Sequence, residues 1–435
     1  MDDQAPEDQV PPDQALSDQA RADQPLPTPE QLARYWPLDP DVTFLNHGSF
    51  GSTPWPVLHA QSEWRARLER DPVHFFDEEL ERHLDHVRAR LGEFLGADPA
   101  DLAFVPNATT GVNTVLRSLE FNTGDEIVTT DHDYNACLNA IRETADRTGA
   151  RAVIARVPFP PRSEDEVVEQ ILARAGPRTR LAVISHVTSP TALILPIQRI
   201  VSALAERGID TLVDGAHTGM VPTNLDALGA AYYTGNAHKW LCAPKGAGFL
   251  HVRRDRQAGI RPLNVSHGVN EPRTDRPRFL LEFDWTGTAD PTAYLAIPAA
   301  LDFFDHLLPT GYWQAMTINS DTALRARDRL TVAMPRTELP PASMIGAMAT
   351  VELPADLPPL PPDMPADAPP GSRWPADPLH AWLRSKHAIQ VPVYAWPHSP
   401  EPDSPRRRLL RISAQLYNSP DQYGRLADVL SEIRS

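Results

Sequence analysis

The chain is poor in the features that would tie it to a disulfide framework, a membrane or nucleic acid. Two cysteines in 435 residues, Cys137 and Cys242, build no disulfide framework and suit a reducing cytoplasm. No apolar run approaches the ~20 residues that a membrane span requires. The opening Met1-Asp2-Asp3-Gln4 lacks the basic-then-apolar layout of a signal peptide. Positive charge is also short: 41 Lys and Arg stand against 57 Asp and Glu, and the net charge of −16 argues against nucleic acid or an anionic membrane as partner. Much of that excess is local, because residues 1–30 hold eight acids against Arg21 and so supply −7 of it. The whole chain is 41% apolar and 23% charged, ordinary for a globular protein, and long enough for two or three domains.

Two stretches cannot contribute to a core. Asp-Gln recurs at 3–4, 8–9, 13–14, 18–19 and 23–24, a five-residue period that matches neither the 3.6 of a helix nor the 2 of a strand. With almost nothing to bury, residues 1–27 are expected to form a disordered acidic tail. Residues 354–378 hold ten prolines, which remove helix and ladder donors. They read as a surface insertion between the strand-like Ala347–Glu352 and the helix-like Leu379–His387.

Between these stretches the pattern alternates. Helix-like segments at 56–70, 77–95, 109–119, 134–148 and 196–207 are interleaved with strand-like runs. The runs are Glu126–Thr130, Ala152–Val157, Leu181–Ser185, Thr211–Val213, Ala231–Thr234 and Gly248–Val252. Such alternation predicts an α/β fold with a mostly parallel sheet covered by helices on both faces. A large domain is expected over 70–295 and a smaller α+β domain over 300–435, completed by the 28–69 segment.

Asp214 and Lys239 each follow one of these short apolar runs. Charges at the ends of core strands are costly to desolvate unless they serve each other or a ligand. A structural ion pair would satisfy that requirement. So would a ligand, since sheets of this kind bind ligands beyond the carboxyl ends of their strands.

Asp214-Gly-Ala-His217, followed by His238-Lys239-Trp240 and Pro244-Lys245-Gly246, resembles the pyridoxal 5'-phosphate (PLP) site of class V aminotransferase-fold enzymes, fold type I. Within that class, Phe44-Leu-Asn-His-Gly-Ser-Phe-Gly-Ser52 resembles the isopenicillin N epimerase-like branch, which also holds the hercynylcysteine sulfoxide lyases. The resemblance runs from about Thr28 to the C-terminus. It implies a seven-stranded-type, mostly parallel sheet in the large domain, a homodimer and no metal.

The resemblance also assigns roles. Lys239 becomes the Schiff-base lysine and Asp214 the partner of the pyridine nitrogen, with His217 beside the ring. Ala108 and Thr109, in Asn107-Ala-Thr-Thr-Gly111, open a helix whose free N–H groups suit a phosphate; an ordinary N-cap has the same composition. Asn236 and His238 would add phosphate contacts. His132 matches the histidine that stacks on the cofactor ring. Tyr134, in the same Asp131–Asn135 segment, is either a proton donor near the lysine or a residue that merely opens a helix. Thr286 and Thr288 would reach the neighbouring subunit's phosphate, although Ala289 stands where the branch carries a basic residue. Arg411 matches the carboxylate-binding arginine, and Asn46, His47 and Ser49 would line the substrate cleft.

The implied reaction lies at Cα or Cβ of an amino-acid-like substrate. The branch favours epimerisation, with C–S lysis and transamination as alternatives and a non-catalytic PLP-binding regulatory module as another class. Residues 394–410 contain no cysteine, which speaks against persulfide chemistry by the cysteine desulfurase route.

Overall fold

The computed structural model describes residues 26–334, 338–354, 377–397 and 406–434. The Asp-Gln repeats up to residue 25 and the proline-rich residues 355–376 lie outside the described residues. Twelve strands are present among the described residues, and seven of them form one sheet. These are β2 (Leu102–Val105), β3 (Glu126–Thr130), β4 (Arg151–Ala155), β5 (Thr179–Ser185), β6 (Asp210–Gly215), β7 (Tyr232–Asn236) and β8 (Gly248–Val252).

Their spatial order is β2-β8-β7-β6-β5-β3-β4. The pairs β7·β6, β6·β5, β5·β3 and β3·β4 are parallel, and only β8 runs against its neighbours. The continuous apolar runs are explained by burial on both faces. Leu181 and Val183 of β5 join a core with Val112, Val115 and Ile141 from helices Ala108–Ser118 and Asn135–Thr148. Ala182 and Ile184 face the opposite way, toward Val167, Ile171, Ile200 and Leu204 from helices Glu164–Leu172 and Ile197–Ala205. A strand alternates its side chains, so one apolar run serves both cores.

A second core lies under an antiparallel sheet ordered β11-β12-β9, made of Val393–Trp396 (β11), Arg407–Ser413 (β12) and Met348–Glu352 (β9). Val351, Leu410, Leu330, Leu383 and Leu426 meet there, the last three from helices Gly311–Ala333, Pro378–His387 and Pro420–Arg434. The N-terminal segment divides its contacts between the two cores. Thr43–Phe44 (β1) pairs with Ile389–Gln390 (β10) and Leu45 enters the smaller core. Trp36, Val57 and Leu68 pack into the larger one. Strand β2 escapes a periodicity reading because four buried residues carry no alternation.

Candidate active site

The site grows from three chain ends that the sheet brings together. Helix Ala108–Ser118 begins just past β2 and lies against β7 so closely that a Cβ at Gly111 would sit 2.0 Å from Thr234 Oγ1. Asn107 caps the helix, its side-chain oxygen accepting from Thr110 N at 2.9 Å. Asn236, the last residue of β7, accepts from Ala108 N at 2.8 Å and donates to the Ala216 carbonyl at 3.3 Å. One amide therefore ties the helix start to the loop beyond Asp214. The second N–H of the Asn236 amide is not taken up by these bonds.

Lys239 sits in the turn between β7 and β8, and the 46–52 segment is packed on that turn. A Cβ at Gly51, whose φ is +69°, would meet the His238 carbonyl at 2.3 Å and Lys239 Cα at 2.8 Å. His47 Nε2 donates to the Lys239 carbonyl at 3.0 Å, and its Nδ1 accepts from the Tyr417 hydroxyl at 2.8 Å. Burial pushes the imidazole down to about 3, so it stays neutral. Both His47 nitrogens are thus engaged within the protein, Nε2 on the lysine turn and Nδ1 on Tyr417.

Three charged groups then converge. Lys239 is lowered from 10.5 to about 8, first by burial and then by the positive charge of Arg411; Asp214 and Cys137 oppose the effect. Asp214 is 4% exposed and is pushed upward chiefly by burial. Its Oδ2 accepts from the Cys137 thiol at 3.1 Å and its Oδ1 from Ala216 N at 2.9 Å. Arg411 is 1% exposed and, among the described residues, pairs with no carboxylate. Its Nη1 donates to the Ser189 carbonyl at 2.6 Å and its Nη2 to Ser49 Oγ at 2.9 Å and Asn46 Oδ1 at 3.3 Å. Its guanidinium carbon lies 5.1 Å from the centroid of the Tyr394 ring. A buried cation that lacks an anion is a receptor for one.

Among the buried side-chain nitrogens of the described residues that have no partner, two belong to this site, Arg411 Nε and His217 Nε2. His217 Nδ1 accepts from Trp240 Nε1 at 3.0 Å, which leaves the proton on Nε2. The His217 N–H therefore needs an acceptor that the protein does not supply. These orphans, with Asp214 and a helix N-terminus nearby, fit an aromatic cofactor bearing a ring nitrogen, a phenolic oxygen and a phosphate.

The other expected residues divide. His132 is 1% exposed, with Nδ1 bonded to Thr191 Oγ1 and Nε2 to the Val157 carbonyl, each at 2.8 Å, and its ring centroid is 4.8 Å from that of Trp396. The charges acting on it are Asp131, Asp133 and Arg407, whereas Tyr134 feels Cys137, Tyr394, Asp214 and Arg411. From this segment it is Tyr134, not His132, that the Asp214 and Arg411 charges reach. Asp133 sets that turn by accepting from Thr129, Thr130 and Ser185. His238 Nδ1 donates to the Ala247 carbonyl at 3.1 Å, and burial lowers it to about 4. Thr286 and Thr288 are exposed on the rim of a cleft of about 600 Å³ that also includes Thr110. Periodicity does not mark Cys137, Ser189 or Trp240 as site residues, since each becomes one only through a partner distant in sequence.

The model of the aminotransferase class-V family matches residues 53–330. The isopenicillin N epimerase of Amycolatopsis lactamdurans is 36% identical over 411 residues, spanning 91% of this chain and 96% of that protein. A probable chloroplastic L-cysteine desulfhydrase of Arabidopsis thaliana is 30% identical over 414 residues, spanning 91% of this chain and 83% of that protein. Among solved structures, the apo cysteine desulfurase of Thermococcus onnurineus NA1 superposes with a TM-score of 0.74 at 18% identity, covering 94% of this chain and 99% of that one. The last likeness establishes the fold.

Proposed function

Because the chain belongs to the class V aminotransferase family and is a PLP-dependent enzyme, we propose that it acts at Cα of an amino-acid-like substrate as an epimerase. The observation that supports this most is the convergence of buried Lys239, buried Asp214 and the unpaired cation Arg411. Lys239 would carry PLP, Asp214 would hold the proton on its ring nitrogen and His217 Nε2 would donate to its phenolic oxygen. Thr109 and the start of helix Ala108–Ser118 would take the phosphate. When bound, PLP supplies an electron sink that weakens the bonds at Cα.

The chain's own groups do the rest. Arg411 receives the substrate carboxylate through Nε and Nη2, aided by Asn46 and Ser49. Lys239, poised near 8, is partly neutral at physiological pH and can take the Cα proton. Burial holds the Tyr134 phenol above its usual value, so it stays protonated and can return a proton. A proton removed by Lys239 and replaced by Tyr134 from the other side inverts Cα. Tyr134 would also cover the cofactor ring.

A C–S lyase reading is favoured by the 30% identity to L-cysteine desulfhydrases. In that case bond breaking at Cβ follows the same removal by Lys239. The exposed Thr286 and Thr288 beside Thr110 support a homodimer in which each rim reaches the neighbouring phosphate site. Among the described residues no helix is long and apolar enough to cross a membrane, and we place the enzyme in the cytoplasm because Cys137 and Cys242 are both unpaired.

The test is incubation of holoenzyme with an amino-acid panel in deuterated water, with products resolved by mass and chirality. Deuterium at Cα of both enantiomers supports epimerisation, and a keto acid with sulfide supports lysis. No exchange with any member overturns the reading. Borohydride reduction and peptide mapping must also place PLP on Lys239 rather than on Lys245 or Lys386, the other two lysines of the chain.

A further inference from the structure

Cys137 lies inside the described site, and the proposed chemistry leaves it without a task. It lies in the first turn of helix Asn135–Thr148, 1% exposed, with its sulfur 3.1 Å from Asp214 Oδ2. A thiol that deep makes its hydrogen bond as a donor, since burial and the Asp214 charge both push its own ionisation upward. Asp214 has two donors, and they are placed one per oxygen: Ala216 N on Oδ1 and the thiol on Oδ2. Other groups act on this carboxylate. Asp133 raises it and Lys239 lowers it, while Tyr134 and Cys137 feel its charge in return. Three residues along, the buried His217 Nε2 is without a partner and would serve a bound acceptor.

We propose that Cys137 is a positioning residue that keeps Asp214 ionised in its buried site, and so sets the lowest pH at which this protein holds PLP. The inference rests on the PLP reading of the site. A buried carboxylate is driven toward its neutral form by desolvation, and a donor to the charged form resists that drive. The thiol is a weak donor, and it is supplied here by one helix residue whose backbone already serves the helix. Without it, apo Asp214 takes up a proton at a higher pH. With PLP bound, Asp214 and the ring nitrogen would hold one proton between them, so protonation of free Asp214 would oppose binding and affinity would fall off in acid. Loss of the thiol moves that fall to higher pH.

The experiment compares the pH dependence of the PLP dissociation constant in the wild type and in Cys137→Ala, Cys137→Val and Cys137→Ser. Alanine and valine both lose the donor and bracket the thiol in volume from below and above; serine keeps a donor. Ala and Val are expected to bind PLP about 3- to 10-fold more weakly at the acid end, the effect of one modest hydrogen bond to a charge, with little change at high pH. Ser is expected to follow the wild type. If Val follows the wild type and Ser does not, the residue is packing alone and the inference falls. The S–H stretch of the apo protein, isolated as the infrared difference between wild type and Cys137→Ala, provides a second readout. It should move upward in Asp214→Asn, and an unmoved band overturns the inference. Failure of PLP to bind Lys239 at all would instead overturn the proposed function, while the apo infrared comparison still decides the bond.

Discussion

Arg411 influences the site in two ways that the single substitution Arg411→Met separates. The methionine fills much of the same volume without charge. The first effect concerns Lys239. Its amine lies near 8 because of burial first and the Arg411 charge second, against an ordinary value of 10.5. Removing the guanidinium leaves burial in place and lets Asp214 act unopposed, so the amine must titrate above 8 and below 10.5. Only the neutral amine attacks an aldehyde, so the rate at which apo enzyme develops PLP absorbance reports this titration directly. Its midpoint should move upward in the variant.

The second effect concerns substrate. Nε is free and Nη2 is shared with Ser49 and Asn46, so a carboxylate gains about two charge-assisted hydrogen bonds. At about 1.5–3 kcal/mol each, their loss costs about 3–6 kcal/mol, or roughly 10²- to 10⁴-fold in kcat/KM. Stopped-flow absorbance and steady-state turnover measure the two effects independently. If the midpoint stays near 8 and kcat/KM falls less than about tenfold, Arg411 neither biases the lysine nor clamps the substrate, and the site has been misread.

Three further outcomes follow from the same geometry. Gly51→Ala places a methyl against the His238 carbonyl at a φ of +69°. It should cost about 1–3 kcal/mol in thermal or denaturant unfolding and displace the lysine turn, seen as weaker PLP binding. His47→Phe keeps a ring but removes the bonds to the Lys239 carbonyl and Tyr417. It should lower stability by about 1–3 kcal/mol and slow turnover. The acid limb of the pH profile should not move, because His47 is held neutral down to about 3. Lys239→Ala should yield no borohydride-stable PLP label on the chain; a label on Lys245 or Lys386 would refute the lysine assignment.

Which parts of the site are legible in the sequence follows from where each residue's partner lies. Asp214 and Lys239 stand out because both are charges at the ends of apolar runs, a local anomaly. Arg411 is legible through its motif, yet its lack of a protein anion is visible only in three dimensions. His132 and Tyr134 are two residues apart, and nothing in their chemistry says which ring meets the cleft. The turn built on Asp133 decides it, through bonds to Thr129 and Thr130 of β3 and to Ser185 of β5. His47 looks like a site residue by composition and becomes a structural clamp because Tyr417, 370 positions away, occupies its other nitrogen. The 28–69 segment, expected with the smaller domain, serves both cores because Leu45 and Trp36 are drawn to different ones.

By itself the sequence determined the α/β class, the parallel sheet and the charge pair at its carboxyl edge. Periodicity and the cost of burying a charge are properties of a few adjacent residues. Only the tertiary structure decided which oxygen of Asp214 the Cys137 thiol occupies, which aromatic ring the Asp214 and Arg411 charges reach and which buried cation is left without a carboxylate partner among the described residues. Those depend on which distant groups share a desolvated volume, where a hydrogen bond or a charge a few ångströms away outweighs any local preference.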